Sequence, residues 1–245
     1  MDDTKHRGLS YFIIDMNQPG VETQPLMQMN GHASFNQVFL TDAEVLPDFQ
    51  VGELGDGWQV ATTTLMHERR AADSLRSWGQ ASKGDGPIYD QERVETETTM
   101  QPYKWYPQRA GRVDLIMDRA KETGAIKDPA IRQEIAKLMT LHKSAEWTAR
   151  RARAAQEQGK PQGPEGSLGK LAASNVARAA ARVHTLISGA DAMLTGEDSP
   201  MDGTIAEILV SFPASSIAGG TDELQKNIIS ERGLNMPKDT RFDAD

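Results

Sequence analysis

The chain has 245 residues, 38% apolar and 25% charged, enough to build a buried core and keep a polar surface. A formal net charge of −8 argues against sequence-independent nucleic-acid binding, which needs a basic footprint. The absence of cysteine excludes disulfides, thiolate catalysis and cysteine-type zinc sites.

The opening segment MDDTKHRGLSYFIID has too short an apolar run for a signal peptide. No run of about 18 apolar residues follows it, so a cytoplasmic protein without a membrane span is expected. Residues 8–47 read as short strands. Leu9–Ile14 is an apolar run suited to a covered strand, and Asn17-Gln18-Pro19-Gly20 is a turn signal. A second strand is expected around Val21–Met27 and a third at Phe35–Leu40. Three short strands cannot bury both of their faces, so this block requires more protein beside it.

After Gly57 the period becomes 3.6, with Ala61, Leu65, Ala72 and Leu75 on one stripe. Residues 80–107 read as irregular. Their aromatic cluster PYKWYP (102–107) is open to two readings, an ordinary surface loop or the lining of a wide pocket or a subunit contact. Helical patterning resumes near Arg112 and stops at Gly124, the position of a C-terminal cap. Asp128-Pro129 starts a helix to about Gln158, with Ile131, Ile135, Leu138, Met139 and Ala145 inward. GKPQGPEG (159–166) breaks it, and Ser167 is a candidate N-cap. The next helix has Leu168, Leu171, Ala172, Val176, Ala179, Ala180, Val183 and Ile187 on its apolar stripe. A last helix begins near Thr221 or Asp222 and carries Leu224, Ile228 and Ile229. The expected fold is mainly α, a C-terminal antiparallel four-helix-type bundle preceded by a partial β-domain.

His67 and His142 lie on helices without acidic or histidine partners one turn on, and neither reads as a metal ligand. Arg150, Arg151 and Arg153 read as a solvated helix face, with contact to phosphates as the alternative.

Three segments, in order and spacing, resemble the C-terminal part of acyl-CoA dehydrogenases. They are GLSYFIIDMNQPGVETQPL (8–26) with FNQVFLTDAEVLPDFQVGELGDGWQVA (35–61), LMHER (65–69) and IAGGTDELQKNIISER (217–232). The resemblance assigns residues 1–55 to the C-terminal half of the family's middle β-domain and 56–245 to its helical bundle. It implies FAD-dependent conversion of an acyl-CoA thioester to the trans-2-enoyl-CoA. A carboxylate removes the α-proton while the β-hydride passes to the flavin. It also implies an electron-transfer flavoprotein or similar acceptor and a homo- or hetero-oligomer.

In the family a backbone N–H at the glycine turn stabilises the thioester oxygen as charge builds on it, the logic of an oxyanion hole. The matching residues are Gly219 and Gly220. Many members carry the catalytic Glu where this chain has Gly219. Another branch places it in an "ER" pair on the first bundle helix, which makes Glu68 the matching base and Arg69 a contact for the CoA end of the substrate. Periodicity sets Glu68 on the stripe of Leu65 and Ala72, where an inward carboxylate suits a general base. A Glu followed by two arginines also reads as part of a surface ion-pair network. Thr221 and Glu223 match positions near the flavin, and read equally as a helix N-cap with a nearby acid.

The sequence departs from the family pattern in four places, one of them residues 80–107, which read as an insertion. The resemblance begins inside the β-domain, so the strands carrying the main flavin contacts have no counterpart here. Glu122 stands where most members have an Arg that reaches a neighbouring FAD, and ISGADAM (187–193) replaces a glycine-rich loop. An alternative therefore stands beside the enzyme: a truncated or noncatalytic partner subunit that supports oligomer assembly and a neighbour's flavin site.

Overall fold

A computed structural model describes residues 6–78, 84–100, 107–161 and 163–238. The chain forms two compact units, Met1–Trp105 and Tyr106–Asp245.

In the first unit β1 (Tyr11–Phe12) pairs antiparallel with β4 (Gln50–Val51), and β2 (Val21–Leu26) pairs antiparallel with β3 (Phe35–Leu40). The register runs from Val21 opposite Leu40 to Leu26 opposite Phe35. The expected first strand shrinks to two residues because only Gln50 and Val51 lie opposite it. The β2–β3 hairpin leaves Leu26, Phe35, Val38 and Leu40 exposed, as expected of strands that need further protein against them.

Helix α1 (Gly57–Trp78) follows, and α2 (Pro87–Met100) corrects the reading of 80–107 as irregular. PIYDQERVETETTM has no apolar stripe, so a helix there carries no 3.6-residue signal. Its side chains instead pair along the helix: Arg93 with Asp90, and Gln91 Nε2 with Glu95 Oε1 at 2.7 Å. Residues 102–106 of the aromatic cluster lie outside the described residues.

The second unit holds α3 (Ile116–Glu122), α4 (Pro129–Glu157), α5 (Glu165–Ser188), α6 (Thr204–Ser211) and α7 (Asp222–Gly233), with 3-10 turns between α3 and α4, between α5 and α6, and between α6 and α7. Gly124 adopts φ +76 after the end of α3. The Asp128 carboxylate caps α4, accepting from the N–H of Ala130 at 2.7 Å, and Pro129 supplies the pre-set first turn. Helix α5 is the central element and packs against α3, α4, α6 and α7. One core joins Ile116 of α3, Ile135 and Leu138 of α4, and Val176, Ala180, Val183 and Ile187 of α5. A second joins Ala181 of α5, Ala192, and Ile205 and Ile208 of α6. Burial on two sides explains the run of alanines in α5, since small side chains admit close neighbours on each. Each fully buried Leu or Ile contributes roughly 1.5–3 kcal/mol.

One expectation about a helix end is corrected. Helix α5 starts at Glu165 after Pro164, so Ser167 lies inside its first turn. In α7 Leu224 is exposed, and the buried residues are Asp222 and Gln225. Among the described residues no helix is long and apolar enough to cross a membrane.

Candidate functional site

The Gly219–Gly220 turn leads into α7. Both glycines have positive φ, +70 and +90, a conformation that disfavours any side chain. A Cβ on Gly220 would sit 2.7 Å from Gln225 Nε2, whereas one on Gly219 would meet open space. The buried Gln225 amide donates to the carbonyls of Gly219 at 3.0 Å and Gly220 at 3.4 Å. A trans peptide places its N–H opposite its C=O, and no cis bond is present among the described residues. With both carbonyls turned to Gln225, the N–H groups of Gly220 and Thr221 face the other way. These two, and the N–H of Gly219, have no hydrogen-bond partner among the described residues. Successive free N–H groups beside a helix N-terminus suit an anionic or polarised oxygen.

Thr221 is the N-cap of α7: its hydroxyl accepts from the Leu224 N–H at 3.3 Å, leaving its own O–H free to donate. Glu223 is exposed in the first turn, one residue short of the position that closes a capping box.

On the far side of the turn sits a cluster that sequence reasoning did not find. Asp222 is 5% exposed. Its carboxylate accepts from Ser174 Oγ, from Lys170 Nζ at 3.1 Å and from Arg178 Nη2 at 3.0 Å. Burial pushes the Asp222 carboxyl up, but the hydrogen bonds from Ser174, Lys170 and Arg178 and the charge of Lys170 outweigh it, bringing it down to about 2. Lys170, Ser174 and Arg178 follow at four-residue spacing on one side of α5.

His184 is a second omission. It is fully buried, and its Nε2 donates to the carbonyls of Gly111 at 3.1 Å and Arg112 at 3.2 Å. Its Nδ1 has no partner among the described residues. Burial pushes the imidazole down, against the raising effect of the two carbonyls and Asp114. A neutral ring donating from Nε2 fits this setting. Its role is structural, because it fixes a bend at which Gly111 and Arg112 both have positive φ.

Glu68 and Arg69 lie on α1 in the first unit. Glu68 is exposed and so is its stripe neighbour Leu65, at 48%. Neither of these two residues has the inward setting expected for this face. The Arg69 side chain lies outside the described residues.

A family model for the C-terminal domain of acyl-CoA dehydrogenases matches residues 110–234. Acyl-CoA dehydrogenase IpdE1 of Mycolicibacterium smegmatis is 31% identical over 240 residues, covering 97% of this chain and 51% of the relative. The steroid ACAD Tcur3481-Tcur3483 superposes with a TM-score of 0.72 at 20% identity, over 96% of this chain and 54% of that one. A chain of the ChsE4-ChsE5 complex from Mycobacterium tuberculosis does so at 0.63 and 19% identity, over 97% of this chain and 56% of that one. These structures share the fold. The chain spans about half the length of the curated relatives it matches. On the family match over 110–234, the chain belongs to the acyl-CoA dehydrogenase family, whose C-terminal helical domain it carries.

Proposed function

We propose that this chain provides the thioester-binding turn and the base of an FAD-dependent acyl-CoA dehydrogenase. The observation that carries the reading is the Gly219–Gly220 turn, whose carbonyls are committed to Gln225 while its N–H groups are left free. Those N–H groups hold the thioester oxygen and stabilise the charge that builds there as the α-proton leaves. Removing one such donor typically slows catalysis by about 10²–10³-fold. Glu68 takes the α-proton, Arg69 holds the CoA end, and the Thr221 hydroxyl and Glu223 meet polar atoms of the cofactor. FAD, when bound, takes up the β-hydride, so that loss of proton and hydride leaves the trans-2-enoyl product. The fit is supported by the donors at the turn and the free Thr221 O–H. The family's division of the chain, 1–55 as β-domain and 56–245 as bundle, goes with this reading, as do an oligomeric assembly and an electron-transfer flavoprotein or similar acceptor.

Purification tests it. The protein carries or takes up a flavin absorbance band and oxidises an acyl-CoA, and Glu68→Gln abolishes turnover while the flavin stays. Surviving turnover removes Glu68 from the role.

A second reading is favoured by the exposure of Glu68. In it the chain is a noncatalytic subunit that completes a partner's flavin site, as the ChsE4-ChsE5 complex pairs two named chains. A colourless chain that gains no flavin when FAD is added supports this reading.

A further inference from the structure

We propose that Asp222 is a positioning residue that sets the direction of the N–H groups at the Gly219–Gly220 turn. The inference rests on the thioester-binding role given to that turn above. It arises from how the two ends of the turn are attached. Before it, Ser174 Oγ reaches the Ser215 carbonyl at 3.3 Å, and Arg178 Nη2 donates to Ser216 Oγ at 2.9 Å. After it, the same Ser174 and Arg178, joined by Lys170, hold the Asp222 carboxylate. Residues 217–221 are therefore spanned between two anchors on one side of α5. Gln225 then fixes the carbonyls of Gly219 and Gly220 within that span.

The arrangement does more than close a helix end. Thr221 already caps α7 through its hydroxyl, so Asp222 is not needed for that. A carboxylate at the first helical position could sit in water and still favour the helix dipole. Here it is buried and takes three side-chain donors from a different helix. Removing it frees one end of the span. Two glycines of positive φ then have the freedom to swing their peptide planes, and the N–H groups lose their common direction.

The test compares two ligands on the protein as isolated, with its FAD and any chain that co-purifies. One is an acyl-CoA thioester. The other is the thioether analogue, in which CH2 replaces the carbonyl. The thioester preference reads the N–H contact, because the two ligands share every other group. Wild type should prefer the thioester by about 3- to 10-fold, the worth of an ordinary hydrogen bond. Asp222→Ala and the milder Ser174→Ala should reduce that ratio towards one, while thioether affinity stays within about twofold of wild type. Asp202→Asn, at an exposed position outside the cluster, serves as the control. Amide exchange at Gly219, Gly220 and Thr221 in the ligand-bound protein should also quicken in both variants but not in the control.

A wild type that discriminates, with both variants discriminating equally well, overturns the positioning role alone. Equal weakening of both ligands in the variants does so too, because it shows general structural damage. A wild type that binds the two ligands equally, or neither, overturns the thioester-binding reading and the positioning role with it.

Discussion

Replacing Asp222 by Asn should destabilise the second unit in a way that depends on pH. The folded carboxyl lies at about 2, against an ordinary 3.8. That difference corresponds to about 2 kcal/mol of stability at neutral pH. The sign follows from a lowered folded value. The contribution is complete above the unfolded value and is lost as pH falls through the folded one. About half of it should remain at pH 3 by the same linkage relation. Because the carboxylate is nearly buried and Lys170 is 19% exposed, little of this is screened away. Arg178, 53% exposed, can turn to water and adds less. The assay is urea unfolding of the full chain, followed through amide resonances of α5 so that the second unit is read separately. The gap between wild type and Asp222→Asn should be about 2 kcal/mol at pH 7 and narrow below pH ~4. A gap that stays constant from pH 7 to 3 would refute the reasoning, since a side-chain packing loss has no such window.

Three further outcomes follow from the same unit. His184 titrates lower in the folded state, so its contribution is present above its ordinary 6.5 and is lost as pH falls below it. His184→Gln should flatten wild-type stability between pH 7 and 5, a window separate from that of Asp222. Leu138→Ala, at a fully buried site between α4 and α5, should cost about 2–5 kcal/mol by urea unfolding, with no pH dependence. Gly111→Ala should cost about 1–3 kcal/mol or more, because its Cβ would lie 2.6 Å from the Ala180 Cβ and its φ is +84. Melting temperature against wild type checks it.

The parts of the fold that could be read in advance are those whose cause is local. Asp128-Pro129 announces α4 because the cap and the pre-set first turn are adjacent in sequence. The stripe from Ile131 to Met139 finds its partners because 3.6-residue periodicity is a property of the helix itself. Helix α2 was missed because a helix that is polar all round has no stripe to read. In α7 the apolar Leu224 is exposed, while Asp222 and Gln225 are buried. Their burial depends on partners brought close by folding: Ser174, Lys170 and Arg178 lie 44–52 residues away from Asp222 in sequence. A Lys-x-x-x-Ser-x-x-x-Arg series on α5 was the available signal, but nothing local names its acidic counterpart.

The glycine turn was legible as a motif, and the structure adds the direction of its peptide planes. Glu68 was legible only by resemblance. Its exposure on α1 leaves its role to a functional measurement.

That measurement is exchange of the substrate α-proton. The FAD-loaded protein is incubated with an acyl-CoA in D2O without an electron acceptor, and deuterium at the α-carbon is followed by mass spectrometry. The account predicts that wild type incorporates α-deuterium and that Glu68→Gln does not, with the thioester still bound in both. Undiminished exchange in Glu68→Gln would contradict it.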